Sequence, residues 1–258
     1  MRITYIGHAT LLIEIGGKKI LTDPNFDPAL GRFLARVSEP GIAIDQLPKL
    51  DMILLTHGHA DHLSFRSLAE IQDVPLYAPP SLARWIRRHG VANAIEFGPG
   101  ESLTSGSLTV HSEIATHSGN RYLVDRWRKQ ANMYLIATKH ESVFFAGDTA
   151  LRDDTTQLVE RELKRSQLDV ALLPIGYAPS WKVGFRHGHL TSLDALTLFE
   201  RLNARYLIPY HWGTFNHVTS SAYDAIRELR EHVKTHARGT DVLILEPGES
   251  LKVDSLSP

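Results

Sequence analysis

Residues 52–63 read Met52-Ile53-Leu54-Leu55-Thr56-His57-Gly58-His59-Ala60-Asp61-His62-Leu63, an apolar run that ends on four ionisable side chains within six positions. A continuous apolar run of this length is the pattern of a strand buried on both faces. The histidines then fall where a strand's carboxyl end gives way to a helix, an edge at which α/β sheets commonly bind ligands. His57 and His59 are two apart and point to the same side of an extended segment. Asp61 and His62 are adjacent and can turn toward two different points, an arrangement suited to a pair of metals. A solvated polar loop is the plain alternative, and the density of ionisable groups straight after a buried strand argues against it.

The 258-residue chain carries 14 histidines in all, these three included, and no cysteine. Disulfides, thiolate nucleophiles and cysteine-ligated zinc or iron–sulfur sites are excluded. Any metal must therefore be held by nitrogen and oxygen. With 28 Lys+Arg against 29 Asp+Glu the net charge is −1, so there is no global attraction to nucleic acid or acidic membrane. The length suits one large domain, expected to span residues 1–258. No segment reaches the roughly 18 uninterrupted apolar residues of a membrane span, and the first residues read as a strand rather than a secretory leader. A cytoplasmic protein without stable membrane insertion is expected, and a homo-oligomer is compatible with the sequence.

Upstream, Ile3–Ile6, Thr10–Ile15 and Lys19–Thr22 are β-prone, the last two joined by Gly16-Gly17, a hairpin signal. A loop from Asp23 to Pro48 follows. Downstream, helical periodicity at Phe65–Ile71, Ser81–His89, Thr155–Lys164, Leu193–Leu202 and Ala222–His236 is interleaved with short strands. These are expected at Leu76–Ala78, Leu108–Ala115, Met133–Ala137, Ser142–Ala146, Val170–Pro174, Tyr206–Pro209 and Val242–Glu246. Thr191 with Asp194, and Ser221 with Asp224, have capping-box spacing. A strand-rich start followed by mixed units predicts an α/β sandwich.

The pattern H-x-H-x-D-H after an apolar strand resembles the metallo-β-lactamase superfamily. The resemblance implies a four-layer αβ/βα sandwich with a metal site at one edge of the two central sheets. It extends to His117 in Ala115-Thr116-His117-Ser118, Asp148 in Ala146-Gly147-Asp148-Thr149, and His211 in Tyr210-His211-Trp212-Gly213. By that resemblance His57, His59 and His117 hold one metal, Asp61, His62 and His211 a second, and Asp148 bridges them. Two divalent ions are implied, zinc being the expected metal and manganese or iron compatible with mixed His/Asp ligation.

Further motifs narrow the branch. Absence of cysteine is unlike the commonest lactam-hydrolysing subclass, and His59 stands where diiron flavoprotein reductases have glutamate. Gly7-His8-Ala9-Thr10, Leu21-Thr22-Asp23-Pro24 and His211-Trp212-Gly213-Thr214-Phe215 resemble the branch of N-acyl-phosphatidylethanolamine-hydrolysing phospholipase D and the ascorbate-phosphate lactonases. So does Gly176-Tyr177-Ala178-Pro179-Ser180-Trp181 followed by His189, a position that faces substrate in that branch. Tyr177 and Trp181 offer apolar surface with polar tips, and core coverage is an equal alternative for them. His189 is a candidate oxyanion donor or substrate orienter, Asp23 would orient a ligand imidazole, and His8 is expected near the substrate. Arg121 opens a basic run to Lys129 that could grip an anion, although a solvated charged loop is the commoner explanation of such runs.

The expected reaction is hydrolysis by a metal-bridging hydroxide that attacks a phosphodiester or an ester or lactone, with Asp61 and His189 taking part in the reaction itself. The expected partner is a small molecule, anionic if the basic loop contributes, and not a nucleic acid. A lactonase of a phosphorylated sugar acid is the second enzymatic reading, and a non-catalytic metal-binding regulatory module the reading from another class.

Overall fold

The computed structural model describes residues 1–31, 34–119, 121, 130–176, 184–216 and 220–253. Its strands are β1 (Arg2–Gly7), β2 (Thr10–Ile15), β3 (Lys18–Thr22), the short pair β4 (Ala29–Leu30) and β5 (Leu34–Ala35), β6 (Met52–Leu54), β7 (Leu76–Ala78) and β8 (Ala94–Glu96). The later strands are β9 (Ser102–Ser105), β10 (Leu108–Ile114), β11 (Asn132–Ala137), β12 (Ser142–Phe145), β13 (Leu168–Pro174), β14 (Ala204–Tyr210) and β15 (Ser250–Lys252). The α-helices are α1 (Phe65–Glu70), α2 (Pro80–Arg88), α3 (Gln157–Glu162), α4 (Ser192–Arg201) and α5 (Asp224–Thr235).

One sheet runs in the order β15-β1-β2-β3-β6-β7-β8 and the other β14-β13-β12-β11-β10-β9. The central strand β6 accounts for the apolar run. Met52 and Leu54 enter the core between the sheets, while Ile53 and Leu55 pack with Leu68 of α1 and Leu82 and Ile86 of α2. One residue of slip would exchange the two faces, and both being apolar is what a strand covered on both sides requires. Helices α3, α4 and α5 cover the second sheet through Leu158, Phe199 and Leu229. The result is the four-layer αβ/βα sandwich of the metallo-β-lactamase fold.

The topology also explains where the candidate ligand side chains fall. β1 and β3 are each antiparallel to β2, and β3 is parallel to β6. β10 and β12 are each antiparallel to β11, and β12, β13 and β14 are parallel. The strands preceding His8, Asp23, His57, His117, Asp148 and His211 therefore share a direction within their sheets, and their carboxyl ends meet at one edge. Asn132 N–H donates to Thr56 carbonyl at 2.9 Å and Tyr134 Oη–H to Leu55 carbonyl at 2.7 Å, which lock the sheets together at that edge.

Several expectations are corrected. The Val242–Glu246 run is not a strand: Val242 makes one bridge to Leu207, and Leu245 then turns into the core. The strand completing that end of the chain is β15, paired with β1, while β8 and β9 are edge strands that the sequence pattern did not single out. Thr191 and Asp194 form a reciprocal capping box at α4. At α5, Asp224 accepts from Ser221 N–H at 2.8 Å, but the helix is entered through Tyr223 without a side-chain cap. No helix among the described residues is long and apolar enough to cross a membrane.

Candidate metal centre

Three imidazole nitrogens converge at the edge. His59 Nδ1 lies 3.0 Å from His57 Nε2 and 3.1 Å from His117 Nε2. The other ring nitrogens fix the tautomers of His57 and His117. The Thr56 hydroxyl donates to Asp23 Oδ2 at 2.6 Å, so it accepts from His57 Nδ1–H at 2.9 Å. His117 Nδ1–H donates to Gly188 carbonyl at 2.7 Å. Both Nε2 atoms are therefore bare and face the same point. For comparison, nitrogens about 2.0–2.1 Å from a tetrahedral zinc stand roughly 3.3 Å apart.

A second group stands beside the first. His62 Nδ1–H donates to Asp23 Oδ2 at 2.7 Å, which turns its Nε2 toward Asp148 Oδ2 at 3.4 Å. His211 Nε2 is 3.3 Å from Asp148 Oδ2 and 3.5 Å from Asp61 Oδ2. Asp148 Oδ2 also lies 3.9 Å from both His57 Nε2 and His117 Nε2, so this one carboxylate faces both groups. His62 Nε2, His211 Nε2 and Asp148 Oδ1 are buried without a hydrogen-bond partner among the described residues. Orphaned buried lone pairs are costly unless a cation takes them, and the donor set of nitrogen and oxygen fits divalent ions. Three groupings able to hold a metal result: His57, His59, His117 and Asp148; His8, Asp61, His62 and His211; and Asp23, His57 and His62.

Burial and charge act together on these groups. Burial drives the His57 imidazole well below its ordinary pKa and His117 down to about 3, with neighbouring imidazoles adding to the effect. Burial works the same way on His211, but Asp148 and Asp61 outweigh it and raise that ring to about 9. His62 is likewise raised against burial by Asp148, Asp61 and Asp23. Burial would raise Asp148, yet His211 and His62 hold it well below the carboxylate range. The carboxylates thus call for positive charge among the imidazoles, and a divalent cation supplies that charge while displacing the protons.

The surrounding residues hold the cluster. Asp23, fully buried, accepts from Thr56 N–H at 2.7 Å as well as from the Thr56 hydroxyl and His62. It thereby ties the strand end to the His62 ring. Gly147 has φ +57°, and a Cβ there would meet Asn132 carbonyl at 2.8 Å and Thr56 Cβ at 2.9 Å. Tyr210 donates to its carbonyl. His8, Asp23 and His211 themselves have positive φ of 55°, 33° and 69°, a conformation side chains rarely adopt outside over-determined sites.

Other expectations change. His8, expected to touch substrate, is 5% exposed and its Nε2–H donates to Asp61 Oδ2 at 2.9 Å, although its edge reaches the neighbouring cavity. His189 does face the cluster, with Nε2 3.7 Å from Asp148 Oδ2, and its ring stacks on Phe185 at 4.4 Å. Its Nδ1–H donates to Phe185 carbonyl at 3.2 Å, so the neutral ring presents an acceptor at Nε2 rather than an oxyanion donor. Burial lowers its pKa against the pull of Asp148, favouring that neutral form. Arg121 donates to Leu63 carbonyl at 2.8 Å and lies over the Phe65 ring, both in the segment after the histidine motif. Tyr177, Trp181 and the basic run 122–129 lie outside the described residues. The sequence reading did not single out Leu30, Leu34 and Phe185, which with Phe215 line a cavity of about 270 Å³ that Asp61 and His211 also line.

The fold and this cluster define a metal-dependent hydrolase of the metallo-β-lactamase superfamily. The chain belongs to that superfamily: the model of the beta-lactamase superfamily domain matches residues 18–212. It is 28% identical over 268 residues to N-acyl-phosphatidylethanolamine-hydrolyzing phospholipase D 1 of Caenorhabditis elegans, covering 95% of this chain and 74% of that protein. A UPF0173 metal-dependent hydrolase of Methanopyrus kandleri is 30% identical, with 97% of this chain and 99% of that one covered. Among solved structures, isothiocyanate hydrolase from Delia radicum gut bacteria superposes with a TM-score of 0.77 at 24% identity, covering 98% and 99% of the two chains, a likeness of fold.

Proposed function

We propose that this hydrolase works with two divalent cations and cleaves an ester, lactone or phosphodiester that carries an apolar group. The observation carrying the reading is the convergence of ring nitrogens from both sheets around Asp148 Oδ2, with the His57, His62 and His117 rings oriented by Thr56, Asp23 and Gly188. His57, His59 and His117 would hold one cation and Asp61, His62 and His211 the other, Asp148 serving both. Cations so held supply Lewis-acid polarisation of a substrate oxygen and lower the pKa of water from about 15.7 to roughly 7. His189, its Nε2 lone pair turned toward the cluster, would accept a proton from the attacking water or orient it. No side chain of the cluster need act as nucleophile.

The adjoining cavity bears on the substrate. Leu30, Leu34, Phe185, Phe215 and Ala222 line it, with Asn216, Ser220 and Ser221 as polar members. Among the described residues its wall has no lysine or arginine. Such a wall gains by covering apolar surface, at roughly 25 cal/mol per Å² removed from water, while the imidazoles that line it, His8 and His211, belong to the cluster. It favours an ester or diester with an apolar substituent over a phosphorylated sugar acid.

The test is a rate panel on chain stripped of metal and reloaded with zinc or manganese. It compares p-nitrophenyl esters of increasing acyl length, neutral lactones, a phosphorylated lactone and bis(p-nitrophenyl) phosphate. The expected result is metal-dependent turnover, abolished by chelation, with kcat/KM rising with apolar substituent size until the cavity is filled. Absence of turnover on every member with either metal contradicts the hydrolase reading, and preference for the phosphorylated lactone contradicts the apolar one.

A further inference from the structure

We propose that His8 is the positioning residue for one half of the cluster, holding Asp61 and His211 for the second cation while leaving the His57, His59 and His117 half alone. The proposal rests on the two-cation reading. His8 follows β1, far in sequence from both groups it holds, and reaches each in a different way. Its Nε2–H donates to Asp61 Oδ2 at 2.9 Å, the carboxylate oxygen that faces His211 at 3.5 Å and His62 at 3.8 Å. Its backbone carbonyl accepts from His211 N–H at 2.9 Å. Its ring lies against the His211 ring with centroids 3.9 Å apart, closed from behind by Phe215 at 5.5 Å. One residue therefore fixes the carboxylate, the backbone and the ring plane of two proposed ligands.

The other half is fixed by different groups. Thr56 orients His57, Gly188 carbonyl orients His117, and Gly58 N–H donates to Gly119 carbonyl at 3.1 Å to hold the intervening turn. His62 has Asp23 for its Nδ1. Loss of His8 should thus free Asp61 and His211 selectively. A partner that orients a ligand is worth about 10–100-fold in metal affinity.

Zinc titration of the metal-free full chain, followed by calorimetry and by metal analysis after gel filtration, tests this. Three variants are compared, with thermal melting to establish that each is folded. His8→Ala removes the donor and the ring. His8→Asn keeps a residue that tolerates positive φ, but its amide is too short to reach Asp61. His8→Gln carries an amide N–H that can take the place of Nε2–H. Wild type should bind two equivalents. His8→Ala and His8→Asn should keep the first at wild-type affinity and bind the second about 10–100-fold more weakly, and His8→Gln should recover part of the loss. Two equivalents at unchanged affinity in His8→Asn overturn the proposal alone, as does equal weakening of both equivalents. A His8→Gln as weak as His8→Ala overturns the hydrogen-bond account, pointing to His8 as a ligand. A single equivalent in wild type overturns the two-cation reading itself.

Discussion

At the scale of single residues, the cluster depends on groups that never face the substrate. Asp23 accepts three hydrogen bonds in full burial, one of them from the ring of His62. In Asp23→Asn the amide NH₂ must face at least one donor, so His62 loses its orientation. Zinc affinity should fall about 10–100-fold, measured by competition with a chromophoric chelator; wild-type affinity would show that His62 is oriented by other means. Gly147→Ala tests the close approach before Asp148. A Cβ at φ +57° would lie 2.8 Å from Asn132 carbonyl and 2.9 Å from Thr56 Cβ. Left-handed strain and overpacking together should cost about 2–5 kcal/mol, read as a lower denaturant midpoint in the metal-free chain. An unchanged midpoint would contradict the geometry of this turn. The residues brought together here were largely legible beforehand, because each ends a strand and the histidine motif anchors their order. The donor state of His189 was not, since it depends on a carbonyl at Phe185 that no spacing rule reveals.

At the scale of elements, α4 secures the segment that brings Phe185, Gly188 and His189 to the centre. Asp194 accepts from Thr191 N–H in the capping box and receives Arg186 from the turn at Phe185–His187, with Nη2 at 2.5 Å from Oδ1. Burial would raise the Asp194 carboxyl, but bonds from Arg186 and Thr191 outweigh it and lower the pKa. A carboxyl depressed by folding stabilises the protein above its unfolded pKa of about 3.9 and loses that contribution as pH falls through the folded value. Asp194→Asn should therefore be less stable than wild type at pH 7, with the difference shrinking below about pH 4. Denaturant midpoints across pH 3–7 decide it, and a gap independent of pH would contradict the charge. Element reading succeeded where periodicity was set by burial, as in β6, and at the Thr191 box. It failed at Val242–Glu246, whose apolar residues close the end of the core instead of extending a ladder. It also failed at β8, β9 and β15, short edge strands whose pairing depends on a distant partner rather than on their own pattern.

At the scale of the whole molecule, two sheets deliver ligating groups to one edge, so the centre and the fold should stabilise each other. Anything bound only by the native state adds RT ln(1 + [L]/Kd), about 2.7 kcal/mol at 100-fold excess over Kd. Zinc should raise the melting temperature and a chelator lower it, whereas His57→Ala should blunt the response. Equal responses of wild type and variant would argue for metal held elsewhere. The cavity beside Asp61 and His211 was illegible from sequence because its wall joins residues from the β4–β5 pair, the turn at Phe185 and the segment around Phe215, none of which carries a shared pattern. The central claim, two cations served by one aspartate, is tested most directly by anomalous diffraction at the zinc edge from crystals of the reloaded chain. Two peaks are predicted, one enclosed by His57, His59 and His117 and one by Asp61, His62 and His211, with Asp148 between them. A single peak, or peaks away from Asp148, would contradict it.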